Sequence, residues 1–223
     1  DLEGIAKLAQ AAVNTYYSVP KEKRMKGLRV TCSASVFVPK PFTPFQWCPQ
    51  DTVSQVREKQ QALRKLLAIR GVTFHWHEST VSQMEACFAV GDRRMADVLY
   101  RAWELGCLLD GWTEHFHYDL WLQAFADCGL DPAFYAHRQR GMDEVLPWDH
   151  IDAGISKSFL QREYQKALKG ETTVDCRQGC QAYQEDRQQW QHQKNGRHIS
   201  KLSNGSPTPQ RRQGDKHPAS HDQ

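Results

Sequence analysis

No run of about eighteen apolar residues occurs in this 223-residue chain, so no transmembrane helix is expected. The opening DLEGIAKLAQ has no charged segment leading into an apolar core, so it is not expected to be a cleavable secretory signal. It also has no initiator Met and starts inside a helical pattern; the expectation is a cut, not a natural start. A disulfide scaffold is not indicated either. The seven cysteines stand at 32, 48, 87, 107, 128, 176 and 180, an odd number of which only Cys176 and Cys180 are neighbours. This pattern predicts free thiols in a reducing cytoplasm, with Cys87 and Cys107 as small core hydrophobes. Charge of one sign is scarce as well. Lys plus Arg number 29 and Asp plus Glu 26, a net charge of +3, too little to argue for nucleic acid on charge alone. No internal repeat is evident.

What is present divides into a folded part and a polar part. Hydrophobic residues make up 39% of the chain, and mean hydropathy is −0.70, low for a compact globule throughout. The dilution is at the C-terminal end. Residues 181–223 hold almost no aliphatics beyond Ile199 and Leu202, a composition that cannot offset its own ordering entropy. Three regions follow: residues 1–49, a helical region at 50–170, and a disordered polar tail at 171–223.

The most informative stretch is LRVTCSASVFVPKPFTPFQW, residues 28–47. Leu28, Val30, Cys32, Ala34, Val36 and Val38 alternate with Arg29, Thr31, Ser33, Ser35 and Phe37, which predicts a strand with an apolar back and a face of small hydroxyls. Such a strand suits a β/α barrel that holds a ligand, and the proline-rich turn after it lies where barrel enzymes place their chemistry. Before it, Leu2, Ile5, Leu8, Ala9, Ala12, Val13 and Tyr16 form a helical stripe. After it, Thr52 and Gln55 make a capping box for a helix running to about residue 70, where Gly71 ends it. Residues 72–76 read as a short strand. Thr80 with Gln83 suggests a second capping box, Asp92 a third N-cap, residues 118–128 a further helix, Asp131-Pro132 a cap with a first-turn proline, and residues 156–169 a last helix stopped by Gly170.

Several residue groups invite chemical readings. In the loop, Phe42, Phe45, Gln46 and Trp47 offer a rigid surface for stacking on a flat substrate or cofactor, and Lys40 suits a carboxylate or phosphate. A structural lid packed on the helices below explains the same residues equally well. His75-x-His77 and His115-x-His117, with Glu78 and Glu114 nearby, raise a metal site; neither pair has the partner spacing of a zinc motif, and aromatic packing is the stronger explanation. Asp92-Arg93-Arg94 reads as a salt-bridged cap or an anion contact. In Pro147-Trp148-Asp149-His150 an imidazole adjoins a carboxylate, as in an acid–base pair, although a turn held by the Asp side chain is the commoner arrangement.

VTCSASVFVPKPFTPFQW, followed by WHES, GDRRMADVLYRAWELGC, DGWTEHFHYDLW, GLDPAFY, VLPWDHIDAGISKSFL and EYQKALKGE, resembles the uncharacterised radical SAM protein family with an N-terminal cobalamin-binding-type domain. The resemblance extends to about residue 177. It implies that residues 1–38 are the late helix and sixth strand of a radical SAM partial barrel, followed by a mainly α-helical region. It implies the family's cofactors, a [4Fe–4S] cluster and S-adenosylmethionine, with cobalamin as a candidate third. In the family the cluster sits on a C-x3-C-x2-C motif upstream of these segments. This chain has no such motif, so it is expected to bind none of these groups stably and to be inactive alone, its partner being the missing N-terminal radical SAM half. The resemblance makes Thr31, Ser33 and Ser35 candidate cofactor-wall hydroxyls; filling a narrow lumen is the plain alternative. No catalytic residue and no metal ligand is assigned, and the substrate is open. After Cys180 the text leaves the family pattern; a frame error, an assembly artefact and genuine decay all fit that. Two readings from other classes compete: a helical binding module whose weakly basic tail contacts RNA, and a histidine-based metal hydrolase.

Overall fold

A computed structural model describes residues 1–175. The chain divides into two units, Asp1–Thr172 and Thr173–Gln223, and the first carries the architecture below. The predictions for Cys176, Cys180 and the polar tail lie outside the described residues.

The first unit is mixed α/β. Helix α1 (Leu2–Ser18) leads to β1 (Val30–Ala34), α2 (Val53–Leu66) and β2 (Val72–Trp76). The two strands pair in parallel, with Val30 opposite Val72 and Ala34 opposite Trp76. This pairing joins segments on either side of residue 49. Parallel neighbours need a crossover, and α2 supplies it. Among the described residues the sheet has these two strands, and no closed barrel forms.

One face of the sheet is covered. Ala6 and Ala9 of α1 and Leu63 and Leu67 at the end of α2 form a core against which Cys32, Ala34, Val72 and Phe74 pack. The small residues Ala6 and Ala9 bring α1 close to the sheet, so the buried stripe of α1 is Ala6, Ala9 and Val13. Ile5 and Leu8, predicted on that stripe, are exposed instead, Leu8 at 74%. They sit one helical step around from the contact line.

Local signals explain most of the boundaries. Thr52 Oγ1 accepts from the Gln55 N–H at 3.3 Å, and Gln55 Oε1 accepts from the Thr52 N–H at 2.9 Å, completing the capping box of α2. Gly71, in the turn before β2, has φ of +86°, a left-handed conformation that glycine adopts without penalty. Helix α3 (Ser79–Ala89) has Glu78 at its N-cap, two residues earlier than the Thr80 signal suggests, and has no side-chain cap. Ser79 is buried there, so burial of the first turn overrides cap chemistry.

Helices α4 (Met95–Glu104), α5 (Tyr118–Asp127) and α6 (Pro132–Ala136) surround a second core with α3. Helix α4 closes in a Schellman motif: Cys107 N–H donates to Ala102 O and Gly106 N–H to Trp103 O, each at 3.0 Å, with Gly106 at φ +97°. Asp131 caps α6 by accepting from the Ala133 N–H at 2.8 Å. A third core joins the proline-rich loop to α7 (Lys157–Leu168) through Trp47, Val90, Leu146, Trp148, Leu160 and Tyr164. Ser156 caps α7 through the Phe159 N–H. No helix among the described residues is long and apolar enough to cross a membrane.

Candidate functional site

The strand alternation read from residues 28–38 is present in the structure. Val30, Cys32 and Ala34 turn toward the helices, while Thr31 and Ser33 point away and are exposed. In register with them on β2 stand Thr73 and His75, also exposed. Ser35, just past β1, continues the row. No hydrogen bond engages the hydroxyls of Thr31, Ser33 or Ser35 among the described residues. The uncovered face of the sheet is therefore a strip of free hydroxyls with an imidazole beside it. It can donate to and accept from a polar ligand laid across it.

The loop that leaves this strand departs from expectation at two positions. Trp47 is 0% and Gln46 2% exposed. Of the two readings open for the loop, a substrate-facing surface and a lid packed on the helices below, these two positions follow the second: both belong to the core. Gln46 Oε1 accepts from Trp148 Nε1 at 2.6 Å and from the Phe42 N–H at 3.1 Å, so this amide pins the loop to the chain a hundred residues later. Phe42 is half-buried with φ of +58°. The loop's prolines fix the backbone, and its largest side chain turns inward because an indole buries more apolar area than any other residue available there. Phe45 stays exposed and meets Phe37 and Tyr164 edge-on, at 6.2 and 6.0 Å between ring centroids. Lys40 is paired with Glu85 at 2.5 Å, with both side chains about half exposed.

His75 and His77 are exposed, as are His115 and His117. His115 ends a single 3₁₀ turn (Thr113–His115), so that pair does not lie on a strand. Among the described residues no three His, Cys, Asp or Glu side chains are gathered as a metal ion would require.

Two motifs that are far apart in sequence come together. Gly91, Asp92 and Arg93 line one side of a cleft of about 650 Å³, and Leu146, Pro147, Asp149 and His150 line the other. The rim carboxylates are occupied. Asp92 holds Arg94 through Oδ1 at 3.0 Å and Oδ2 at 2.6 Å, and the Arg94 hydrogen bond lowers the Asp92 carboxyl pKa. Asp149 Oδ2 accepts from the Leu146 N–H at 3.0 Å and from Lys157 Nζ at 2.7 Å. The proposed acid–base pairing of Asp149 with His150 is therefore absent: the carboxylate serves the turn and Lys157.

A polar network that periodicity does not reveal links Tyr118, Gln83, His137 and Gln50. The Tyr118 hydroxyl donates to Gln83 Oε1. Gln83 Nε2 faces His137 Nε2 at 2.8 Å, and His137 Nδ1 reaches Gln50 O at 3.1 Å. With the Gln83 amide oriented by Tyr118, these contacts suit the His137 tautomer that carries a proton on Nδ1. Gln50 Nε2 then donates to Phe37 O and Ser82 O, both at 3.0 Å. The chain of bonds fixes the base of the proline-rich loop to α3 and α6. Gln83 does carry a signal in the sequence, but there it reads as a capping residue.

Arg140 is 2% exposed. Its Nη2 donates to Tyr135 O at 2.7 Å and contacts Val90 O at 3.5 Å, while Nη1 has no partner. These carbonyls lie at the C-terminal ends of α6 and α3, where backbone dipoles turn their negative ends toward a cation. Desolvation lowers the guanidinium's pKa from its ordinary value.

Comparison with known proteins finds no matching family, no matching curated protein and no matching solved structure.

Proposed function

We propose that this chain is the C-terminal part of a radical SAM enzyme, with the α1–β1–α2–β2 segment forming part of the wall of a β/α partial barrel. The supporting observation is the sheet itself. Two parallel strands linked by a helix carry helices on one face only, and the other face presents Thr31, Ser33 and Ser35 free and exposed. Parallel β–α–β units are normally covered on both faces or closed around a lumen. A one-sided unit with a hydroxyl strip is what a barrel wall looks like when seen from its lumen. The family resemblance of the surrounding strings supports the same reading and supplies its cofactor, S-adenosylmethionine. In this reading the strip meets the ribose or the methionine end of that molecule.

The described residues do not fit the iron–sulfur cluster. Cys32, Cys48, Cys87, Cys107 and Cys128 are all free, and none is grouped with two further ligands. Burial, with Asp131 a lesser cause, pushes the Cys87 thiol up to about 12, the opposite of a thiolate ligand. In this reading the cluster is held by a segment outside the described residues, and no chemical step is assigned to the described ones.

The test is complementation. The chain is co-expressed with the product of the coding sequence immediately upstream, and the pair is assayed for iron, for absorbance near the cluster charge-transfer band and for 5′-deoxyadenosine release from S-adenosylmethionine under reduction. Activity that falls in a Thr31→Val/Ser33→Ala variant supports the reading. An upstream sequence without a C-x3-C-x2-C motif, or a complemented pair indifferent to both substitutions, rejects it.

A further inference from the structure

The cleft between residues 91–93 and 145–150 carries an inference that does not depend on the barrel reading. Its walls are chemically uneven. Val145 and Pro147 supply an exposed aliphatic side, Leu146 being buried in the third core, and Gly91 stands opposite. Gly91 is held without a side chain by its neighbours, since a Cβ there would meet Met95 Cγ at 2.5 Å and Cys87 O at 2.6 Å. The volume of about 650 Å³ falls within the range of small-molecule sites, roughly 300–1,000 Å³.

The charges at the cleft do not balance. Both lining carboxylates are neutralised by cations of their own, Asp92 by Arg94 and Asp149 by Lys157. The side chains of the lining cation Arg93 and the lining imidazole His150 are exposed and make no hydrogen bond or ion pair among the described residues, although the Arg93 charge acts at a distance on Asp92, which Arg94 already holds. Behind the wall, Arg140 adds a buried positive charge, bonded to the Val90 carbonyl next to Gly91. Of the acids flanking that segment, Glu144 is taken by Arg138 at 2.5 Å, and Asp143 and Asp152 do not line the cleft. An apolar wall beside uncompensated positive charge selects a molecule with an apolar body and an anionic head.

We propose that this cleft binds a small organic anion, with Arg93 and His150 holding a carboxylate or phosphate while the apolar body lies against Val145 and Pro147. Arg93 is the main determinant, because a guanidinium forms paired bonds to either oxyanion.

The experiment titrates the full chain with phenyl phosphate, benzoate and the neutral benzyl alcohol, following backbone amide shifts by ¹H–¹⁵N NMR. The expected result is saturable shifts at Gly91, Arg93, Leu146 and His150 with both anions, and binding of benzyl alcohol at least tenfold weaker. Tighter binding of phenyl phosphate than of benzoate assigns the head as a phosphate, and the reverse order as a carboxylate. Arg93→Ala weakens the anions at least tenfold, and Arg93→Lys weakens them less. Arg93 is exposed, and circular dichroism confirms that each variant is folded. The proposal is overturned if neither anion shifts these amides at millimolar concentration, if benzyl alcohol binds as well as the anions, or if Arg93→Ala changes nothing. None of these outcomes bears on iron content or 5′-deoxyadenosine release, so the two readings fail separately.

Discussion

Trp47 and Cys87 show how far burial alone dictates the behaviour of a reactive or recognising side chain. Trp47 is fully enclosed, and its Nε1 has no hydrogen-bond partner. It acts by volume. Trp47→Ala is expected to destabilise the chain by about 3–5 kcal/mol, as deletion of a large core aromatic does. Trp47→Phe, which keeps most of the ring and removes the unpaired N–H, is expected to cost much less. Urea midpoints of the two variants check this, and equal losses would contradict it. Cys87 is 0% exposed, with its thiol pushed up to about 12 by burial. It should resist iodoacetamide in the folded chain and react only on unfolding, as mass spectrometry of the alkylated peptide would report. The sign of its linkage follows. Its folded pKa lies above the unfolded one, so the neutral thiol favours folding at lower pH. That contribution declines as pH rises past the ordinary thiol range of about 8.5 toward the folded value.

Elements were legible wherever the chain announces them by local chemistry. Thr52 with Gln55, Asp131 with Pro132, and Ser156 each mark a helix start that the structure reproduces, because a cap is satisfied within three residues and needs no tertiary context. The strand at β2 was equally readable from its β-branched and aromatic run. Helix α3 was less so: Thr80 and Gln83 imitate a capping box, yet Gln83 is drawn inward to Tyr118 and His137. The capping box of α2 is open to direct test. Thr52→Ala is expected to cost about 1 kcal/mol, and Thr52→Ser to restore most of it. A urea midpoint unchanged in Thr52→Ala would show that tertiary contacts alone hold the helix start.

At the scale of the whole molecule, what sequence reading missed is what long separations create. No local pattern reports that Gln46 meets Trp148 or that Asp92 and His150 share a cleft; such contacts depend on how three cores assemble. For the same reason the loop aromatics were ambiguous, since a rigid proline-rich segment can present an indole to solvent or to the interior with the same spacing. Two local ion pairs, Arg138 with Glu144 and Arg94 with Asp92, contribute to the acid limit of the fold. Arg138 lowers the carboxyl pKa of Glu144, and Arg94 that of Asp92, each chiefly by hydrogen bonding. Both folded pKa values lie below their unfolded values. The stability they add is complete above the ordinary carboxylate range of about 4 and is lost as pH falls through the depressed folded values. Arg138→Met should flatten this acid limb in urea unfolding followed between neutral and low pH. An unaltered limb would assign acid sensitivity to other carboxylates.

Among the described residues, each strand of the two-stranded sheet has one flank without a strand partner. Open rows of amides and carbonyls are templates, and a further strand of compatible sequence can zip onto them. The practical consequence is a trade between complementation and clumping. A supplied partner segment that docks along β1 should raise solubility, whereas concentrated chain on its own should grow by strand addition, a process visible as rising light scattering.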